Sequence, residues 1–446
     1  MGNEKASTKN NSRIKSIARA LSYRNFRLFF AGQSISLIGT WMQRIALGWL
    51  VYRMTNSAFL LGFVGFAGQL PTFLFSPFAG VLADRMNRHR LLILTQAMAM
   101  IQALFLALLV LMGSVLIWHI ILLSILLGLI NAVDAPVRQS FMVEMVERKE
   151  DYGNAIALNS SMVNGARLIG PSIAGILIAA VGEGVCFLIN GISYLAVIVA
   201  LLAMHIARKN VNPKTSHAWR DLKEGFVYAF GFAPIRAILL LLSLVSLMGM
   251  SYAVLMPIFA KDILHGGPHT LGFLMAAAGV GALIGALSLA SRASVLGLGM
   301  WIVRATAVLG VGLILTSLSR VEWLSFILLL LIGFGMMVQM ASSNTVLQTI
   351  VDDDKRGRVM SFYTMAFMGM TPFGSLLAGS LASKIGAPNT LIIGGICCLI
   401  GSVVFASRLP ALRKIVQPVY VKMGIIPEIA SGIQSATDLT LSQRRF

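Results

Sequence analysis

The chain has 446 residues, of which 57% are hydrophobic and 12% are charged, and its formal net charge is +19. Because soluble domains contain about 25% charged residues, this composition excludes an ordinary soluble protein and predicts an all-α membrane protein with many spans. The apolar runs are continuous rather than alternating, which argues against a membrane β-barrel. The positive charge does not indicate a nucleic-acid partner, because Lys and Arg concentrate in alternate loops, as expected of cytoplasmic loops.

Twelve apolar runs predict twelve transmembrane helices, each long enough to cross a bilayer. They lie near residues 27–52, 58–83, 91–112, 117–146, 153–181, 184–206, 236–262, 269–291, 298–318, 322–351, 356–383 and 388–408. A polar stretch at 207–235 divides them into an N-terminal bundle, 27–206, and a C-terminal bundle, 236–408. A basic segment, 1–26, precedes them and a more polar tail, 409–446, follows. The distribution of basic loops predicts a multi-pass protein of the cell inner (plasma) membrane with both termini cytoplasmic.

The polar linker contains an amphipathic segment, "WRDLKEGFVYAF", at residues 219–230. Helical spacing places Trp219, Leu222, Phe226 and Phe230 along one side. This pattern predicts a helix that lies on the cytoplasmic surface of the membrane.

The two bundles resemble each other weakly in sequence. In the first, Arg138 is followed by "GPSIAG" with Pro171, and in the second, Asn344 is followed by "TPFGSLLAG" with Pro372, at a similar separation. Such duplication is characteristic of transporters whose site lies between the repeats. The halves should therefore be related by a pseudo-two-fold axis.

Charged residues inside the predicted spans are the main candidates for a functional site, because each one at mid-bilayer costs about 2.5–3.5 kcal/mol. Asp134 and Arg138 are four residues apart on the fourth span and can form a pair. Arg167 lies near the centre of the fifth span. Arg44 lies in the first, beside Trp41 and Gln43.

Two interpretations of these charges remain open. In one, Asp134 holds Arg138 or Arg167 and fastens helices together. In the other, the charges face a cavity, and the surplus positive charge attracts an anion. Asp134 is then the candidate for proton coupling, because a proton relay needs a group that changes its charge. Gln339, Asn344 and several Met residues of the second bundle would complete the substrate site, since Met suits adaptable apolar contacts.

The loop "GVLADRMNRHR" at residues 80–90 resembles the signature loop between the second and third helices of the major facilitator superfamily. Gly80, Asp84, Arg85 and Arg88 match that pattern, whereas Asn87 stands where the family usually has glycine. The stretches "RNFRLFFAGQSISLIGTWMQRIALGWLVYRMTNSA", "DAPVRQSF", "NAIALNSS" and "RGRVMSFY" look like the enterobactin-exporter-like branch, which exports siderophores and drugs. The resemblance extends to about residue 410.

The resemblance implies roles for several residues. The first and fourth helices should line the central cavity, which would place Arg44, Asp134 and Arg138 there. Asp84 should operate a cytoplasmic gate near Arg356 and Arg358, at the N-terminus of the eleventh helix.

The stretch "GARLIGPSIAG" at 165–175 is similar to the fifth-helix motif of drug–proton antiporters. Gly165, Gly170, Pro171 and Gly175 match it, which implies export and a role in the contact between bundles. Simple helix packing is the alternative.

Together these features predict a secondary active transporter that exports a small amphipathic or anionic organic molecule, siderophore or drug-like, by alternating access and in exchange for protons. A lysophospholipid or other lipid translocator and a non-transporting sensor are the alternatives. We expect no enzymatic activity, no cofactor and no metal site, because neither a nucleophile–base arrangement nor a phosphate-binding loop is present. The expected partners are the substrate, protons and the lipid bilayer but no nucleic acid, and the expected state is a monomer.

Overall fold

The computed structural model of the protein describes residues 19–205, 218–292 and 294–426. Two short 3-10 turns, Arg19–Ser22 and Lys149–Asp151, accompany the α-helices of this part of the chain. The helices of the first half are α1 Arg24–Thr55, α2 Ala58–Arg85, α3 Arg88–Leu111, α4 Ile117–Glu144, α5 Tyr152–Val181 and α6 Glu183–Leu202. The linker helix and those of the second half are α7 Ala218–Gly231, α8 Ala233–Ile263, α9 Pro268–Ala290, α10 Leu298–Leu318, α11 Glu322–Ile350, α12 Arg356–Ile385 and α13 Ala387–Lys422.

The twelve predicted spans correspond one to one to twelve long helices, α1 to α6 and α8 to α13. Within the described residues, eleven of them are long and apolar enough to cross a membrane. The remaining one, α1, has 32 residues but is more polar along its length. The predicted fold class, two six-helix bundles of the major facilitator type, is confirmed.

Two predicted boundaries need correction. The last helix does not end near residue 408 but continues to Lys422, so the predicted tail from 409 begins inside it. The seventh span begins at Ala233 rather than 236, directly after the linker helix, because Pro234 fits the first turn of a helix. The rest of the predicted basic segment, residues 1–18, lies outside the described residues, as do 206–217 of the linker.

Corresponding glycines show the repeat between the halves. Gly182 separates α5 from α6 with φ 84° and ψ 171°, and Gly386 separates α12 from α13 with φ 84° and ψ 157°. Residues with a side chain rarely adopt these angles. Each half therefore turns between its fifth and sixth helices in the same way.

The two ends of the helical bundle differ in how tightly the halves meet. We call the end where α1 begins and the linker helix lies the linker face, and the other end the far face. Near the far face, a Cβ added to Gly62 of α2 would lie 2.5 Å from the Ser375 carbonyl oxygen of α12. A Cβ on Gly175 of α5 would lie 2.9 Å from the Pro268 carbonyl oxygen of α9. Only glycine permits such a close backbone approach, so these contacts hold the two halves together there.

Towards the linker face, polar residues on the inner helices of the first half are accessible to solvent. Asn131 and Gln139 of α4 and Ser160 and Ser161 of α5 are exposed. The side-chain contacts that the described residues make between the halves lie from mid-depth to the far face. We infer from this exposure that a cleft between the halves opens towards the linker face.

Candidate functional site

Two arginines flank one tryptophan in the middle of the bundle. The Arg44 guanidinium carbon lies 4.6 Å from the centre of the Trp41 ring, and that of Arg167 lies 5.7 Å from it. Trp41 and Arg44 belong to α1, whereas Arg167 belongs to α5. The two helices come close because Gly170 of α5 leaves room for Trp41, whose Cβ would be 2.5 Å from a Cβ on that glycine. Three predicted site residues thus form one group, which we call the arginine–tryptophan cluster.

The arginine–tryptophan cluster faces the second half of the protein. The Nη2 group of Arg167 donates to the sulfur of Met336 on α11, 3.9 Å away, and Tyr252 of α8 lies beside the same guanidinium. Residues of both halves therefore surround the cluster. The sequence indicated methionines in general at this place, but it gave no signal for Tyr252.

No carboxylate neutralises the cluster within the part of the chain that the structure describes. Neither Arg44 nor Arg167 has an ion-pair partner among those residues, and the Arg44 side chain is exposed although it lies in the interior of a 32-residue helix. A guanidinium on an aromatic ring gains about 0.5–2 kcal/mol, which is less than a buried ion pair can supply. The cluster is thus a positively charged surface suited to an anionic group.

Gln43 does not belong to this surface, contrary to the prediction. It is buried, accepts a hydrogen bond from Asn190 of α6 at 2.6 Å and donates to Gln102 of α3 at 3.3 Å. Gln102 donates in turn to the Leu123 carbonyl at 3.2 Å. Gln43 thus points away from the cleft, and its hydrogen bonds connect α1, α3 and α6 inside the first half.

Asp134 and Arg138 form the predicted i, i+4 pair, with 3.4 Å between Oδ2 and Nε. Asp134 is buried and also accepts hydrogen bonds from Thr95 at 2.9 Å and Gln96 at 2.7 Å, both on α3. The hydrogen bonds from Thr95 and Gln96 join α4 to α3. This geometry is the fastening arrangement, the first of the two interpretations.

The sequence suggested that Arg138 and Arg44 lie at similar depth, but the structure places them at different depths. At 1.5 Å per residue, Arg138, six residues before Glu144, lies about 9 Å from the linker-face end of α4. Arg44, twenty residues after Arg24, lies about 30 Å from the corresponding end of α1. Of the three predicted arginines, only Arg138 therefore lies beside the Asp134 carboxylate. Arg138 is neutralised near the linker face, and two cations remain at mid-depth.

The predicted residues of the second half lie apart from the cluster. Gln339 is fully buried and its amide lies 3.5 Å from the Ser343 hydroxyl oxygen of the same helix. Asn344 lies six residues from the linker-face end of α11 and accepts a hydrogen bond from Gln348 at 2.5 Å. Met336, a methionine of the second bundle, faces the cluster instead.

The predicted gate residues are only partly described. Gly80, Asp84 and Arg85 belong to the end of α2, but their side-chain surroundings lie outside the described residues. The basic members pair with acidic residues on the linker face. Their partners are Glu144 for Arg88 at 2.5 Å, Asp353 for Arg356 at 2.5 Å and Glu224 of the linker helix for Arg358 at 2.9 Å. The gating role of Asp84 stays a prediction.

Members of the antiporter-like motif differ in their surroundings. Gly175 and Pro171 touch α9 of the second half, where a Cβ on Gly272 would lie 2.6 Å from the Pro171 carbonyl oxygen. Gly170 accommodates Trp41, whereas a Cβ on Gly165 would meet no atom within 4 Å. Two of the four residues thus shape the contact between the halves.

A polar contact between the halves at the far face was not predicted. The Tyr52 hydroxyl of α1 donates to Asp262 of α8, and the Lys261 ammonium donates to Asn56 at 2.6 Å while lying 5.4 Å from the Tyr52 ring centre. We call these four residues the far-face clasp. Lys261 and Asp262 lie in a π-helical turn, Phe259–Ile263, which periodicity in the sequence does not reveal.

Comparisons with known proteins agree with this architecture. Residues 16–421 match the family described as transmembrane secretion effector. The staphyloferrin A transporter of Staphylococcus aureus is 27% identical over 85% of this chain and 95% of its own length. The multidrug efflux pump Tap of Mycolicibacterium fortuitum is 26% identical over 83% of this chain and 92% of its own length.

Solved structures support the same fold. A bacterial homologue of the iron transporter ferroportin, in an inward-facing state, superposes with a TM-score of 0.67 at 18% identity, covering 86% of this chain and 98% of that one. Since the family match spans most of the chain, the protein is a membrane transporter and not an enzyme. It belongs to the transmembrane secretion effectors of the major facilitator superfamily.

Proposed function

We propose that this transporter exports small amphipathic molecules that carry negative charge, such as siderophores or acidic drug-like compounds, in exchange for protons. The linker face would be cytoplasmic, as the positive-inside distribution of Lys and Arg predicts for both termini. The relatives named for a siderophore and for multidrug efflux support this choice of substrate class. The protein would work as a monomer in the cell inner membrane.

The observation that carries the proposal is the arginine–tryptophan cluster. Two guanidinium groups, for which the described residues provide no carboxylate partner, lie at mid-depth on the surface where the halves face each other. In a cleft of low dielectric they would attract an anion strongly. The Trp41 ring and the Met336 thioether would contact apolar parts of the same molecule. Because both halves contribute, a bound substrate would respond to their relative movement, which alternating access requires.

Proton coupling needs a carboxylate that gains and loses its charge during the cycle. Asp134 was the candidate from the sequence, but it is buried and its contacts with Arg138, Thr95 and Gln96 suit a fastener between helices. Asp262 belongs to the far-face clasp and is exposed, so protons can reach it from outside. We therefore assign the coupling role to Asp262, whose protonation would weaken the contact between the halves.

A binding experiment on purified protein tests the anion site. We expect Arg44→Gln and Arg167→Gln each to weaken binding of a carboxylate-bearing dye by about 10- to 100-fold, since a hydrogen bond to a charged group is worth about 1.5–3 kcal/mol. Binding of the uncharged methyl ester of that dye should change less than threefold.

Arg292→Gln is the matched control, because Arg292 also lies over a tryptophan, 5.2 Å from the Trp301 ring centre, but at the linker-face end of α10. It should bind both dyes normally. Equal losses for the acid and its ester would contradict the anion site. In liposomes, proton-driven transport of a lysolipid but of neither dye would instead favour a lipid translocator. Transport of none of these three compounds would favour a sensor.

A further inference from the structure

A large apolar chamber lies near the linker face, away from the arginine–tryptophan cluster. Its volume is about 520 Å³, and its walls come from α2, α7, α8 and α12. Nine of its ten lining side chains are apolar and Ser243 is the one polar member. The walls include Phe73, Phe226, Phe230, Leu240, Phe362 and Met365. Chambers of this size and polarity hold apolar ligands rather than water.

Two helices of the chamber are irregular near it. A π-helical turn, Val245–Gly249, interrupts α8, and another, Met365–Gly369, interrupts α12. The Ser246 hydroxyl joins the two turns by donating to the Phe367 carbonyl oxygen. Such bulges widen a helix locally and frequently mark functional sites. Here the second turn carries Met365, which is part of the chamber wall.

The mouth of the chamber is continuous with the lipid-facing surface. Phe226, Leu240 and Met365 line the chamber and are 50%, 56% and 42% exposed. Met368, on the next turn of α12, is 64% exposed. In a protein that spans a membrane, the medium against such side chains is the hydrocarbon of the bilayer. An acyl chain can therefore enter from the leaflet on the linker side.

A polar cavity of about 470 Å³ adjoins the chamber on the side of the linker helix. Its lining side chains include Lys355, Arg358 and Glu224. The border is Gly225, where an added Cβ would lie 3.0 Å from the Arg358 side chain and 3.2 Å from the Phe362 ring. The apolar chamber and the polar cavity thus meet at Arg358 and Phe362, which are one turn apart on α12.

Each cation of the polar cavity has a carboxylate beside it, Glu224 for Arg358 and Asp352 for Lys355. Two cations and one carboxylate line it, and Arg358 pairs with Glu224 at 2.9 Å. Lys355 lies 3.7 Å from Asp352 and 4.5 Å from the centre of the Tyr228 ring. Burial is the main cause that raises the pKa of the Tyr228 hydroxyl, which donates to Asp352. A phosphate near Lys355 would take the place of the exposed Asp352 carboxylate.

We propose that the two spaces together bind one glycerophospholipid from the leaflet on the linker side. One acyl chain fills the apolar chamber between α2, α8 and α12, and the phosphate lies in the polar cavity beside Lys355 and the linker helix. Because Phe73 comes from the first half and the other chamber residues from the linker and second half, the lipid bridges the halves. The site is separate from the proposed substrate site and does not depend on the substrate being anionic.

Photocrosslinking tests the site directly. The full-length protein is reconstituted with a phospholipid that carries a diazirine on one acyl chain, irradiated and digested for mass spectrometry. We expect labelling to concentrate on the peptides containing Phe226–Phe230 and Phe362–Met370. Ala366→Trp, which fills the chamber, should reduce labelling of these peptides at least fivefold. Lys355→Gln should reduce it when the head group is phosphatidylglycerol.

Val403→Trp is the matched control, because it adds the same bulk on α13 at a lipid-facing residue that is 67% exposed and does not line the chamber. It should leave the labelling unchanged, and thermal melting should show that both tryptophan variants are folded. Labelling spread evenly around the lipid-facing surface would overturn the proposal. So would displacement of the lipid by an exported compound, which would identify the chamber as a substrate port.

Discussion

Breaking the far-face clasp should shift the balance between the closed and open arrangements of the two halves. The clasp joins α1 to α8 through the Tyr52–Asp262 and Asn56–Lys261 hydrogen bonds. Asp262→Asn removes the charge that the Tyr52 hydroxyl contacts, and Tyr52→Phe removes the donor. Asp262→Asn keeps a neutral acceptor for the Tyr52 hydroxyl, so both variants should act in the same direction and Tyr52→Phe should have the larger effect.

The size of the shift follows from the nature of this bond. A hydrogen bond to a charged group contributes about 1.5–3 kcal/mol, and the lower end applies because Asp262 is exposed to solvent. About 1.5 kcal/mol corresponds to roughly a tenfold change in the ratio of closed to open protein. A protein that is 90% closed would thus become about half open.

Distance measurements between spin labels would detect this change. Leu116 of the first half and Trp323 of the second are exposed at the far face, 53% and 64%, and can carry labels as cysteines. The native Cys186, Cys397 and Cys398 would be replaced by alanine. We expect a longer distance to gain population in Asp262→Asn and Tyr52→Phe.

Arg53→Gln is the control for this experiment. Arg53 follows Tyr52 directly but pairs with Glu183 of its own half, at 2.7 Å and 3.2 Å, so its loss should leave the distance between halves unchanged. Distances in the clasp variants that match those of the parent protein would refute the reasoning.

The same measurement at different pH tests proton coupling. Protonation neutralises Asp262, so acidic buffer should lengthen the distance in the parent as Asp262→Asn does at neutral pH. The variant itself should no longer respond. If it still responds, the coupling proton binds elsewhere.

Other regions give sharp expectations. Asp134→Asn should lower the melting temperature, since breaking a buried ion pair costs about 3–5 kcal/mol, whereas Thr95→Val should cost about 1 kcal/mol of stability. Liposomes that contain folded Asp134→Asn protein should still show proton-driven substrate flux. Loss of that flux without loss of stability would restore Asp134 as the coupling group. Gly62→Ala should lengthen the distance between the spin labels at the far face, because its Cβ would lie 2.5 Å from the Ser375 carbonyl oxygen. Gly165→Ala should not, because its Cβ would meet no atom within 4 Å. Unchanged label distances in both variants would show that the halves do not rely on the Gly62 contact.

The sequence by itself determined the fold class and the ends of most helices. Long, predominantly apolar runs satisfy their backbone hydrogen bonds in a bilayer as helices, and the loops between them are short. The polar linker separated the halves, and Asp134 and Arg138 paired as their i, i+4 spacing requires. These features depend on composition and on contacts close in the chain. The last helix was predicted too short because its end, to Lys422, is amphipathic rather than uniformly apolar.

Only the tertiary structure decided which polar residues share a surface. Gln43 and Arg44 are neighbours in sequence, but helical geometry turns one into the first half and the other towards the cleft, and the direction depends on which helices pack around α1. Trp41 and Arg167 meet because Gly170 allows α5 to approach α1. The clasp at Asp262 depends on a π-helical turn and on a partner 210 residues away. Contacts across such separations leave no periodic pattern, so only the packed structure reveals them.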